Sequence, residues 1–240
     1  MAQETGQPKA SEPFRFYTQV HLRELTGLKA RNIKELLYHI KTVPGSVIYH
    51  HTHHFLQQHQ FLTPEPPNDF SYWVTEALNE VKLGEKLASI NICDFSSIRA
   101  IRDEVAGIIE KYLSSAKGSL KEANEGEEFH FMKSISFVSS TPYAASTLAE
   151  FKEVLKKVSI HSLYFHIFEA KLRLERGAND FCKWFESMGE DELARRVSKL
   201  DPYTHTMESL REKLIRLIED RLKRESPPEP RPLSEEKKGH

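Results

Sequence analysis

Apolar and polar residues alternate in the segment FRFY (14–17) and again in FHFM (129–132). That period of two is the mark of a half-buried strand. A period of 3.6 follows each one. In NIKELLYHIK (32–41), Ile33, Leu36, Leu37 and Ile40 fall at i, i+3, i+4 and i+7, which builds one apolar helix face. TLAEFKEVLKK (147–157) repeats the arrangement, with Thr147 and Glu150 spaced as a capping box. The pattern predicts a second helix over about 46–60 and 160–175. A further helix opens at the Asn-Asp pairs 68–69 and 179–180 and carries Phe and Trp. A last one covers about 96–113 and 205–224, with Ser96 and Thr206 as N-caps.

The two sets of elements align residue for residue. At an offset of 115, Phe14 meets Phe129, Phe16 meets Phe131, Glu35 meets Glu150, Tyr49 meets Tyr164 and His51 meets His166. After a loop of different length, NDFSYW (68–73) meets NDFCKW (179–184). Order-preserving agreement of this kind reads as a tandem duplication. The expected organisation is a disordered N-terminus (1–11), a helical unit (12–113), a linker (114–126), a second helical unit (127–224) and a disordered Pro-rich, charged tail (225–240). The expected fold is mainly α: two homologous helical units of about 100 residues, each with room for one short strand, packed with pseudo-twofold symmetry.

Composition narrows the function. Hydrophobic residues make up 39% and charged residues 29% of 240, as in a soluble globular protein. With 34 basic against 35 acidic residues there is no general attraction for nucleic acid or an anionic membrane. No signal peptide or apolar span is visible, and two cysteines make no disulfide framework, so a cytoplasmic location is expected. The phosphate-binding glycine loops, the GxSxG elbow and the HExxH motif are all missing.

The aromatic-x-aromatic strand, the helix with Glu35 or Glu150, Tyr-x-His, Asn-Asp-Phe-x-x-Trp and Leu-Ala, in that order, resemble the prokaryotic family domain of unknown function 5752, here as two copies. The resemblance implies a prokaryotic source and no assigned reaction. Its members' association with glycosyltransferases implies a role beside a carbohydrate-related enzyme.

Candidate chemistry centres on YHHTHHF (49–55), which aligns with YFHIFEA (164–170). A site common to both halves would use His51 with His54, and His166 with Glu169. These are i, i+3 pairs on one helix face, and such pairs can ligate zinc or iron, with Asp69 or Asp180 as a third ligand. The competing reading is structural: His51 and His166 bond Asp69 and Asp180, while these aspartates cap the helices that begin at Phe70 and Phe181. His50 and His53, opposite Phe165 and Phe168, read as a solvated face. Tyr49, Tyr164, Trp73 and Trp184 read as structural, the tryptophans as core. Arg102 and Arg211 recur in the last helix as carboxylate partners, anion ligands or solvated groups. The leading expectation is a non-enzymatic interaction or regulatory protein without a cofactor, whose partner is another protein. The alternative is a zinc- or iron-binding protein.

Overall fold

The alternation that starts at Phe14 does not stop at Tyr17. It continues as strand β1 (Phe14–Ala30), which pairs antiparallel with an equally long β2 (Phe129–Ala145). The structure is a computed structural model that describes residues 10–58, 68–115, 121–170, 179–200 and 205–225, with the side chains of 54–58, 93 and 225 outside that description. The termini expected to be disordered lie almost wholly outside the described residues. Two 17-residue strands at the centre overturn the expected mainly α fold: the protein is α+β, with helices arranged about a long two-stranded ribbon. The reason lies in segments such as SISFVSST (134–141), rich in β-branched and hydroxyl side chains that suit a pleated ladder. Apolar side chains stand on both faces there, so alternation with one dry face is not visible.

His21 faces Ser136 at the middle of the ladder. The register slips between Arg15 and Tyr17, and again between Leu25 and Lys29. These slips are bulges, and they let Gly27 take φ +79 on one strand while Pro142 occupies the matching place on the other, where a ladder N–H is not needed. Thr26 Oγ1 donates to the Phe131 carbonyl and Thr141 Oγ1 to that of Phe16, both at 2.7 Å, closing each bulge.

After β1 come α1 (Ile33–Thr42), α2 (Gly45–Gln58), α3 (Asp69–Glu76), α4 (Val81–Ala88) and α5 (Ile98–Ser115). After β2 come α6 (Leu148–Leu155) and α7 (Ile160–Tyr164), which runs on as a π-helical turn (Phe165–Glu169). Next are α8 (Asp180–Ser187), α9 (Asp191–Ser198) and α10 (Met207–Glu225). The N-caps follow local chemistry. Asn32 and Thr147 accept from the N–H of Glu35 and Glu150, whose carboxylates turn back to the N–H of Arg31 and Ser146 at 2.8 and 2.7 Å. Thr206 caps α10 as expected, while Ser97 rather than Ser96 caps α5. Arg102 and Arg211 hold backbone carbonyls: Arg102 donates to Val43 at 2.7 Å, and Arg211 to Leu155 and Val158 at 2.5 and 2.6 Å. They tie the end of α1 to α5 and the end of α6 to α10, meeting carbonyls that the helix termini leave unpaired.

The ribbon crosses over. Phe14 and Phe16 of β1 pack against Phe151, His166 and Phe181, side chains that follow β2 in sequence. Phe129 packs against His51, Phe70 and Trp73, and Phe131 against His39 and His51. Each aromatic strand therefore completes the aromatic cluster of the other half. Buried apolar side chains from both halves form one continuous core.

Candidate functional site at the middle of the ribbon

Two histidines clamp the crossed strands. His51 Nε2 accepts the backbone N–H of Met132 at 3.0 Å, and its Nδ1 lies 2.8 Å from Asp69 Oδ2. His166 Nε2 accepts the N–H of Tyr17 at 2.8 Å, and its Nδ1 lies 2.8 Å from Asp180 Oδ2. An Nε2 that accepts requires the proton on Nδ1, so each ring donates to its aspartate. Asn68 and Asn179, not the aspartates, cap α3 and α8, accepting from the N–H of Ser71 and Cys182 at 2.9 and 2.8 Å. The expected capping by Asp69 and Asp180 is thereby corrected: the shorter reach to the third N–H belongs to the residue before them. Trp73 Nε1 donates to the Glu127 carbonyl at 2.7 Å and Trp184 Nε1 to that of Glu12 at 3.1 Å, so both indoles anchor the start of the opposite strand. Phe70 and Phe181 are fully buried beside them.

A second cluster lies between the clamps. Tyr49 O–H donates to Glu169 Oε1, and His21 Nε2 approaches the same oxygen at 3.4 Å. Burial pushes the Glu169 carboxyl up, but the His21 and Tyr49 contacts outweigh it and hold its pKa below the ordinary carboxylate value. Gln19 reaches toward this carboxylate without closing a hydrogen bond. Burial, with Tyr164 and Glu169 nearby, raises the Tyr49 phenol well above its usual value. His53 stacks on Tyr49 with ring centroids 4.8 Å apart, and burial lowers its pKa to about 4. Glu169 sits in the π turn, which widens the helix in the second half where α2 stays α-helical. His50 Nδ1 meets Ser134 Oγ at 2.9 Å. His50 and His53 are thus buried, not on a solvated face as expected: Ser134 of β2 lies against His50, while Tyr49 stacks on His53 and Tyr164 O–H reaches the His53 carbonyl.

The six residues expected to ligate a metal fall in different places. Asp69 and Asp180 each face a separate clamp histidine, Glu169 is in the middle cluster, and the side chain of His54 lies outside the described residues. Both ring nitrogens of His51 and of His166 are engaged, so coordination there would displace an aspartate or a strand N–H. Among the described residues, His50, His51 and Asp69 bring ligand-capable atoms within 4.8 Å of one another. Gln19 and His21 were not expected to matter. Their only sequence signal is a polar side chain at every second position of a strand, which also describes a solvated edge.

A cleft of about 470 Å³ opens onto the middle cluster, lined by Gln19, Ser46, Tyr49, Ile98, Phe165 and Glu169 among others. A wider one of about 860 Å³ runs along β1 past Arg15, Tyr17, Asp180, Lys183 and Trp184. Val138 and Phe165 border both. Among the described residues no helix is long and apolar enough to cross a membrane.

The crossed ribbon with its two histidine clamps spans nearly all the described chain, and so does the family match. The chain belongs to the family of unknown function DUF5752, whose model matches residues 11–219. One match runs through both halves, where two were expected. The solved structure of OrfY from Thermoproteus tenax resembles this one with a TM-score of 0.76 and 29% sequence identity, over 88% of this chain and 96% of that one. No functionally curated protein matches the chain.

Proposed function

We propose that the protein is a non-enzymatic interaction module, built by fusion of two copies of one unit, that docks a protein partner on the outer face of its ribbon. The observation that carries this reading is the cross-strand quartet Val20, Phe137, Leu22 and Ile135, which pair at the ribbon's middle and stand 58%, 54%, 53% and 37% exposed. A contiguous apolar patch on a soluble surface marks an interaction site. The patch is bounded at one end by the Glu24–Lys133 ion pair at 3.0 Å and at the other by Thr18 opposite Ser139. That is an apolar centre with a polar rim, as protein interfaces have. Val20 and Ile135 are counterparts at the 115-residue offset, as are Leu22 and Phe137, so the patch is self-complementary about its centre. A second copy of the chain, stacked ribbon on ribbon, is the partner that such a face fits. The duplication reading draws support from the paired bonds at that same offset, Tyr17 to His166 and Met132 to His51.

Sedimentation velocity over a concentration series tests the proposal. The wild type should dimerise, and Phe137→Asp should sediment as a folded monomer. A wild type that stays monomeric throughout, with no more hydrophobic-dye binding than Phe137→Asp, would overturn it.

A metal reading has one support, the proximity of His50, His51 and Asp69. Its cost is the Met132 clamp, because His51 would have to turn away from that N–H or from Asp69. Metal analysis of untagged protein tests it. About one zinc or iron per chain, lost in His50→Ala, would favour it.

A further inference from the structure

Gln19 is 2% exposed, yet neither its amide nitrogen nor its amide oxygen has a hydrogen-bond partner among the described residues. Folded proteins rarely leave both ends of a buried amide unpaired. An unpaired buried polar group costs stability that an apolar side chain of the same shape would not. The position is on the inner face of β1, opposite Val138, where Leu or Val would suit the strand better. Gln19 lines the cleft of about 470 Å³, a size suited to a small molecule.

The rest of the cleft is consistent with a ligand rather than with packing. Tyr49 and His21 both approach Oε1 of Glu169, and a carboxylate has lone pairs enough to accept a further hydrogen bond. Ser46 adds a hydroxyl from the start of α2. Ser134 and Ser136 are oriented by His50 and His21 at 2.9 and 2.8 Å. Ile98 and Phe165 form an apolar wall. Among the described residues no lysine or arginine lines the cleft, so phosphate and carboxylate ligands find no counter-charge there. The Gln19 amide can both donate to and accept from a ligand's hydroxyls, the Glu169 carboxylate can accept from them, and the aromatic wall can cover a ring's apolar face.

We propose that this cleft binds a neutral, hydroxyl-rich molecule of mono- or disaccharide size, held by Gln19, Glu169 and Ser46 against Phe165. The site takes residues from both strands and from helices of both halves, so occupancy would register how the halves sit together. This inference does not depend on the docking role of the outer face.

The test is isothermal titration of the full-length protein with glucose, maltose and glycerol, and with putrescine as a cationic control. The expected result is saturable binding of at least one sugar, weakened about tenfold or more in Gln19→Leu, roughly the effect of losing one or two hydrogen bonds. Gln19→Leu should melt no lower than wild type, since it removes the unpaired amide, so lost binding there cannot be blamed on unfolding. Three results would overturn the proposal: no heat with any sugar on folded wild type, sugar binding unchanged in Gln19→Leu, or binding of putrescine alone.

Discussion

His166 Nε2 accepts a hydrogen bond from the backbone N–H of Tyr17, 149 residues away in the chain, at 2.8 Å. A helix of the second half thereby grips the strand of the first. His51 grips Met132 in the same way at 3.0 Å. Replacing His166 by Ala takes the partner from a part-buried N–H and removes a ring packed among Phe14, Phe16 and Phe181. The expected loss is about 3 kcal/mol of unfolding free energy in urea denaturation. His166→Gln can offer an amide oxygen near the Nε2 position and should lose clearly less. Equal losses in the two variants would show that packing alone matters here.

The crossing of the strands makes a prediction about fragments. A chain covering 10–115 lacks the strand that fills its aromatic cluster, since Phe129 and Phe131 supply it from the other half. Co-expressed 10–115 and 121–225 should co-purify one to one, with a circular dichroism spectrum like that of the intact chain. Either fragment alone should be unfolded or self-associated. Two separately folded monomers would contradict the exchange.

His53 ties stability to pH. Its folded pKa is lowered to about 4 by burial, against 6.5 when unfolded. Between those values the unfolded chain holds a proton that the folded chain does not, so acid favours unfolding. This contribution to stability is complete above pH 6.5 and declines as pH falls toward 4. It amounts to about 3 kcal/mol at most, taking 1.36 kcal/mol per pKa unit. In denaturation at a series of pH values, His53→Phe, carrying the residue found at position 168, should show a flatter slope across that window. An unchanged slope would assign the acid sensitivity elsewhere.

A close approach between α3 and α4 fixes Gly84. A Cβ added there would lie 1.9 Å from Thr75 Oγ1 and 3.3 Å from the Ser71 carbonyl oxygen. Gly84→Ala should cost about 1–3 kcal/mol despite the better helix propensity of alanine. Adding Thr75→Ala should recover part of the loss, giving a coupling term in a double-mutant cycle. Additive effects would mean that the backbone, not Thr75, takes up the strain.

Much of this molecule was legible from its residues. Local rules sufficed for α1 and α6, where the apolar period and the caps at Asn32 and Thr147 depend on neighbours within one turn. Burial of Trp73 and Trp184 follows from the residue type, and the pairing of His51 with Asp69 was one of two readings that the sequence offered. The partner on the other ring nitrogen was beyond reach, because Met132 lies 81 residues away and only the antiparallel register brings it there. The full length of β1 and β2 was hidden for the same kind of reason. In β1 the alternation of Val20 and Leu22 with Gln19, His21 and Arg23 also fits a solvated edge, in β2 Phe137 and Val138 put apolar side chains on both faces, and the ladder's hydrogen bonds are made to a partner about a hundred residues or more distant. The burial of His50 against Ser134 of β2, and of His53 beside Tyr49 and Tyr164, rests on such distant partners as well. The sequence by itself determined helices α1 and α6 with their caps at Asn32 and Thr147, the Thr206 cap and the matched aromatic positions, which local sterics and periodicity control. Which strand fills which cluster, and that Gln19, His21, Tyr49 and Glu169 meet at the ribbon's centre, only the tertiary structure decided, since long-range pairing is set by the packing of the whole core.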